Sequence, residues 1–501
     1  MRIRTYSRRF VTSLLAMLVM TIPLVAQYQA RPSPHRYKLY LVPPPGGTDT
    51  SGISGPPVPH LLNNQGMLGS IGLTSVTDPF FGFVIHGVIS RNGTSTNLGA
   101  LPPSDSNLSA PLSISDNGRT VGASGNGQID PLTGFPEFEA VSFQGGQVID
   151  LGNFGGNGSV AYSVNNRGQV VGFALNTIPD PYGSFLMGCS TIACFPTGQQ
   201  MRAALWQNGR MQDLGTLGGN DAIAGIVNEA GQVAGTSYTN TIPNSTTGWP
   251  SQDPFFWERG RMVDVGNLGG TFAYADWMNE RGQIVGLSTL AGDAISHPFF
   301  WDRGRLTDIG TFGGSYGEAH QVNNAGAVIG LAALSGDQAH HAFLWRSGTL
   351  TDLGTLGGTL SNAWAINSSG QVVGASFVNS GATHAFLWEE GAGMIDLNTL
   401  IPPGSGLYLE NATLINDRGQ ISGDAVLDSG NSRAYLLTPC DDDQPGDCGS
   451  NIFVADAVAD APAPSIKAAP TSDEHISNFA DQLRQLQRRR QSSLGGPTQS
   501  Q

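Results

Sequence analysis

Six aspartates recur at one point of a repeating pattern: Asp150, Asp213, Asp264, Asp308, Asp352 and Asp396. Each precedes a Leu, Ile or Val and then Gly, or Leu-Asn in the last copy. Paired carboxylates can do acid–base work on a glycosidic bond. A carboxylate present in copy after copy is better suited to structure, accepting backbone N–H bonds where a strand turns into a linker. Four histidines, His86, His297, His341 and His384, hold a second repeated point, where other copies carry Glu139, Arg202, Asp253 or Arg433. Imidazoles at equivalent points would form an arc able to hold a metal or sense pH. Because Arg and Asp replace them freely, structural or surface roles are expected, with no metal site and no cofactor.

Trp206, Trp257, Trp301, Trp345 and Trp388 recur in register and read as packing between repeats. Trp249 lies off that register in an insertion, and is the ligand-binding candidate, able to stack on a sugar ring. Cys189 with Cys194 and Cys440 with Cys448 make two close pairs, with no histidine at metal-ligand spacing. They read as two small disulfides. The chain shows no phosphate loop and no HExxH helix. No copy of the recurring Asp breaks the symmetry, so the chain is expected not to be an enzyme.

The elements that must position these residues follow from the spacing. The last four anchor aspartates are each 44 residues apart, and the two earlier intervals are 63 and 51. A fixed period of this size marks a repeat architecture. Within the copy ending at Asp396, four short strands are predicted: Ala363–Asn367, Gln371–Ser376, His384–Trp388 and Met394–Leu397. An Asn-x-x-Gly turn joins the first two, as in Asn323–Gly326 and Asn367–Gly370, with Asn bonding back to its own chain and Gly taking positive φ. A Gly four residues on (Gly172, Gly235, Gly286, Gly330, Gly374, Gly423) interrupts the second strand, which implies a bulge or close backbone approach. One such repeat cannot bury enough apolar surface to order its own backbone, so neighbours must share a core.

The segments HAFLW, TDLGTLGG and SNAWAINSSGQVVGAS, as they stand at 341–376, resemble the HAF family of extracellular repeats. The resemblance covers roughly residues 60–437. It implies a secreted bacterial, propeller-like protein and no particular activity.

Residues 1–30 have the basic start and apolar run of an export signal, giving a secreted chain, periplasmic or extracellular. Residues 31–440 are assigned to the repeats. YKLYLV at 37–42 looks like a fourth strand arriving before any complete repeat, while the last copy stops at a third strand, Arg433–Leu437. The expected fold is therefore an all-β propeller of four-stranded blades, eight or else seven, closed by the N-terminal strand. Residues 441–501 are expected to form a disulfide hairpin followed by a mostly disordered tail.

Insertions Ser124–Pro136, Asn176–Gln200 and Thr239–Gln252 all fall between second and third strands, and so share one face. Such a face often binds. A net charge of −14, from 25 basic and 39 acidic residues, argues against nucleic acid. No later apolar run reaches membrane length. The reading is an exported, non-catalytic propeller binding a polysaccharide or an extracellular protein, with a structural envelope protein or a glycan-active enzyme as alternatives.

Overall fold

The computed structural model describes residues 36–52, 60–78, 80–91, 93–103, 107–180, 198–245, 248–402, 404–440, 452–454 and 456–459. Nearly all regular structure there is β-strand. Strand pairing groups it into eight antiparallel four-stranded units. The unit spanning 313–352 is typical: Gly313–Val322, Val328–Leu334, His340–Arg346 and Thr349–Asp352, each paired with the next. The others span 46–97, 109–150, 155–213, 222–264, 269–308 and 357–396. The eighth combines both ends of the chain. Its first three strands are Leu407–Ile415, Ile421–Leu427 and Ser432–Pro439, and its fourth is Tyr37–Leu41, with Leu39 opposite Leu437. The protein is an all-β propeller. The units are numbered 1 to 8 below, from 46–97 to this last one.

The first strands begin earlier than the spacing predicts. Gly357–Ile366 takes in Gly357 and Gly358, which read as linker from sequence, because Gly357 pairs with Val378. The first strand also bulges in seven units: Ala363 faces Gly374 and Ala365 faces Val373, leaving Trp364 as the extra residue. The interrupting glycine makes this possible. A Cβ on Gly374 would stand 1.9 Å from the Asn362 carbonyl oxygen, and one on Gly172 1.8 Å from that of Val160. Only a residue without a side chain lets the bulged strand come so near.

The Asn of each Asn-x-x-Gly turn does more than bond back. Asn323 Oδ1 accepts from the N–H groups of Ala325 and Ala327, both at 3.0 Å. Its Nδ2 donates 3.1 Å across to the Asn367 carbonyl of the next unit. The same strap runs from Asn367 to Asn416, from Asn416 to Asn63, and from Asn63 to Ser115. Unit 2 carries Ser115 in place of Asn, and Asn117 Nδ2 there reaches the Asn166 carbonyl instead. Packing between units is aromatic further out: Phe256 lies 5.3 Å from Trp301, and Phe300 5.1 Å from Trp345, ring centre to ring centre.

Beyond Pro439, Cys440 donates its N–H to the Arg36 carbonyl at 2.9 Å and is disulfide-bonded. Ile452–Val454 pairs in parallel with Tyr37–Leu41, and Asp456–Ala459 with Thr94–Asn97. Part of the segment expected to be irregular therefore adds strands to the outer edges of units 8 and 1. Cys189, Cys194, Cys448 and residues 1–30 lie outside the described residues.

Candidate functional site

Each unit is a simple meander, so its two ends carry different connections. First-to-second and third-to-fourth turns lie at one end. Second-to-third connections and the links between units lie at the other. All eight units contribute their first strand or its turn to one cavity of about 350 Å³, whose lining includes His60, Tyr162, Trp277, Gln321, Ile366 and Ile415. The first strands are therefore innermost, and this cavity lies toward the Asn-x-x-Gly end, away from the insertions. Across it, His60 of unit 1 meets Trp277 of unit 5 edge to face, 6.0 Å between ring centres. Asp116, Glu229, Glu280 and Asp417 stand at its mouth. Their oxygens are engaged in structure: Asp116 accepts the Asn64 N–H at 2.8 Å, Glu229 that of Asn166 at 2.8 Å, and Glu280 that of Glu229 at 2.9 Å.

Deeper along the first strands, two positions differ from unit to unit: the bulged residue and the one two places before it. Units 2 to 4 carry Ala110 and Leu112, Val160 and Tyr162, Ile223 and Gly225. Units 5 to 8 carry Tyr274 and Asp276, Glu318 and His320, Asn362 and Trp364, Asn411 and Thr413. The interior is thus apolar on one side and polar on the other. In the polar sector Tyr274 donates its hydroxyl to Glu318 Oε1, and Tyr316 donates to Oε2 at 2.7 Å. His320 Nδ1 lies 3.8 Å from Asp276 Oδ2, and its ring stacks on Trp364 at 4.6 Å. Burial alone would push the Glu318 carboxyl up. The charge of His320 and the two hydroxyls outweigh that and hold it below the usual range. Tyr274, buried beside Glu318, is pushed well up and keeps its proton.

Sequence reasoning missed this sector because it looked only at the recurring Asp position and the recurring His position. The signal was available two columns away, in the residues preceding each turn Asn: Tyr-Ala-Asp-Trp-Met-Asn, Glu-Ala-His-Gln-Val-Asn and Asn-Ala-Trp-Ala-Ile-Asn.

The anchor aspartates do not converge. Each sits at the outer end of its own fourth strand and accepts the N–H two residues on: Gly152 to Asp150 at 2.7 Å, Gly215 to Asp213 at 2.8 Å, Gly266 to Asp264 at 2.7 Å, Gly310 to Asp308 at 2.8 Å, Gly354 to Asp352 at 2.7 Å and Asn398 to Asp396 at 2.9 Å. A residue near the start of the third strand completes this bracket. His297, His341 and His384 place Nδ1 2.9, 2.9 and 2.7 Å from Asp308, Asp352 and Asp396, and Arg202 Nε bonds Asp213 at 2.9 Å. His86 meets Asn97 in the same way.

At the insertion-bearing end the surface changes character. Of the nine exposed large apolar side chains among the described residues, Val76, Phe80, Leu132 and Ile295 lie in second-to-third-strand connections, and Ile129, Ile178 and Ile242 at the ends of the second strands that lead into them, all in units 1 to 5. Ile242 is 74% exposed and Leu132 57%. The tips are built. Asp130 bonds Leu132 N and Thr133 Oγ1, both at 2.8 Å, and accepts from Asn157 of unit 3 at 2.8 Å. Phe80 of unit 1 packs edge to face on Phe135 of unit 2 at 5.6 Å. Trp249 closes a hairpin whose Asn244 N–H bonds its carbonyl at 2.7 Å, and it is half-buried.

No protein-family model matches the chain, and no curated protein matches it either. Among solved structures it is similar to the β-propeller domain of the Trilobed protease from Pyrococcus furiosus, described as having an open velcro topology: 10% identity, TM-score 0.40, 70% of this chain and 96% of that one. It is similar to dipeptidyl peptidase 4 of Porphyromonas gingivalis at 10% identity and TM-score 0.38, covering 69% of this chain and 60% of that one. It is similar to the fucose-specific lectin of Aleuria aurantia at 9% identity and TM-score 0.24, covering 74% of this chain and 98% of that one. These likenesses speak to fold alone. They correct the expectation that the chain is not an enzyme: peptidases stand among the proteins with similar propellers, so the architecture gives no ground for excluding catalysis.

Proposed function

We propose that this is an exported, HAF-type propeller of eight blades, closed by its N-terminal strand, that binds an extracellular protein through its insertion-bearing face. The observation that carries the reading is the crowding of exposed apolar side chains onto that one end. Among the described residues seven of nine lie there, on units 1 to 5. Apolar patches of this kind on a water-exposed surface mark interaction sites. The hydrogen bonds of Asp130 and the Phe80–Phe135 contact hold the tips ready, which lowers the ordering cost of association. The side chains are mainly aliphatic, which suits the apolar centre of a protein interface better than the flat aromatic platform a sugar ring prefers.

A polysaccharide ligand is the second reading, resting on Phe80 and Trp249. Sequence features support export: the basic and apolar start of the chain and its close cysteine pairs. The test is a binding screen of the mature protein against envelope and extracellular proteins and against polysaccharides, beside a variant with Asn176–Gln200 shortened. The same wells are assayed for release of reducing ends. Protein binding that is lost in the shortened variant supports the proposal. Turnover would replace it with an enzymatic reading, and silence from both proteins would favour a structural envelope role.

A further inference from the structure

We propose that Asp276, Glu318 and His320 form a binding site for one divalent transition-metal ion, with Zn²⁺ as the expected occupant. Their donor atoms, one from each residue, lie within 4.8 Å of one another, and all three residues are buried. The side chains of Asp276 and His320 are 0% and 4% exposed. Two carboxylates side by side away from water repel each other, and a cation between them relieves both that repulsion and their desolvation. One imidazole with two carboxylates is a mixed nitrogen–oxygen set, which suits Zn²⁺ better than the all-oxygen cages of Ca²⁺ or Mg²⁺.

The geometry agrees with this assignment. The 3.8 Å from His320 Nδ1 to Asp276 Oδ2 is too long for a hydrogen bond. Two donors each about 2.0–2.2 Å from one ion span such a distance naturally. Outer contacts of the kind that orient metal ligands are present. The hydroxyls of Tyr274 and Tyr316 hold both oxygens of Glu318, and Trp364 fixes the plane of the His320 ring.

A second observation comes from unit 7. Asn362 occupies the same repeat position as Glu318, and Trp364, two residues on, stacks on His320, so units 6 and 7 meet here. Asn362 is 7% exposed, and its side-chain oxygen has no hydrogen-bond partner among the described residues. A buried amide oxygen left unpaired is costly. A bound cation, or water on it, would satisfy it. The alternative for the whole cluster is a proton shared between the carboxylates beside an imidazolium, which needs no metal.

The test uses the mature full chain, stripped with chelator and titrated with Zn²⁺ and separately with Co²⁺. Metal is counted by elemental analysis after desalting, and the Co²⁺ visible absorption is recorded. The proposal expects one ion per chain and a thermal midpoint that falls on chelation and recovers on adding Zn²⁺. Asp276→Asn and Glu318→Gln should each weaken binding by at least about tenfold, and Asn362→Ala, which leaves all three ligands in place, roughly tenfold or more. His297→Gln, at a surface bracket, should bind as wild type. A wild-type chain that takes up no ion, or binding that is unchanged in Asp276→Asn and Glu318→Gln, would overturn the site. Because the wild-type readings stand alone, failure of a variant to fold leaves the proposal open to refutation.

Discussion

Asn267 donates from Nδ2 to the Asp253 carboxylate across 2.8 Å, in the place where other units pair a histidine or arginine with the anchor aspartate. Unit 2 makes the same exchange, with Asn153 bonding Glu139 at 3.0 Å. The linker follows suit. Units with an acid at this third-strand position carry Asn153 or Asn267 after the anchor, whereas those with Arg202, His297 or His341 carry Thr216, Thr311 or Thr355. Two like charges cannot share the bracket, so an amide donor from the linker takes over from the missing cation.

This exchange sets a pH dependence. Burial, acting against the hydrogen bonds they receive, pushes Glu139 up to about 7 and Asp253 up to about 6. A raised folded-state pKa contributes stability that is fully present below the unfolded value and is lost as pH rises through the folded value. From about pH 4 to about pH 7, the urea midpoint of wild type should therefore decline, relative to Asp253→Asn mainly up to about pH 6 and relative to Glu139→Gln up to about pH 7. Each substitution should recover on the order of 1–3 kcal/mol at the upper end. Parallel pH curves for wild type and variants would show that neither acid is perturbed.

The straps between units predict a second effect. Asn323→Ala removes the acceptor for Ala325 and Ala327 and the donor to Asn367, leaving buried groups unpaired. A loss of about 1–3 kcal/mol is expected for each group left unsatisfied. Urea denaturation checks it. An unchanged midpoint would mean that water replaces the strap without cost.

The bulge makes a third. Gly330 has ordinary backbone geometry, yet a Cβ there would meet the Glu318 carbonyl oxygen at 2.0 Å. Gly330→Ala should cost about 1–3 kcal/mol or more, as overpacking does. It should also disturb the His320–Trp364 stack, visible as a change in tryptophan fluorescence. A neutral Gly330→Ala would mean that the first strand is not held where it is described.

Pairing of the two chain ends gives a fourth. Leu39 is 1% exposed opposite Leu437. Leu39→Ala should lower stability by about 2–5 kcal/mol. An effect close to zero would argue that the N-terminal strand is dispensable to the eighth unit.

Much of this was legible in the sequence because a repeat states its rules several times. The Asp bracket, the Asn-x-x-Gly turn, the strand glycine and the outer tryptophans each recur, and Tyr37–Val42 stood out as a fourth strand without its partners. What was not legible lay where the copies differ. Tyr274, Asp276, Glu318 and His320 look like noise in a repeat alignment until the bulge shows that they share one interior wall. The straps were hidden for another reason: the turn Asn was already accounted for by its local bonds, and nothing local requires its Nδ2 to cross to the next unit. Exposure of Ile129, Ile178 and Ile242 likewise followed only once the second and third strands were seen to extend beyond the rest of the sheet.

The most direct measurement compares the affinity of wild type and an Ile129→Asp/Ile178→Asp/Ile242→Asp variant for the extracellular protein that the screen selects, with Asn324→Asp as reference, since Asn324 lines the cavity at the Asn-x-x-Gly end. The three isoleucines are 53%, 52% and 74% exposed, so the fold should tolerate the exchange. If the insertion-bearing face is the binding surface, the triple variant loses at least about tenfold in affinity while the reference binds as wild type. Unaltered affinity in the triple variant, with loss in the reference, would place binding at the other end of the channel and contradict the account.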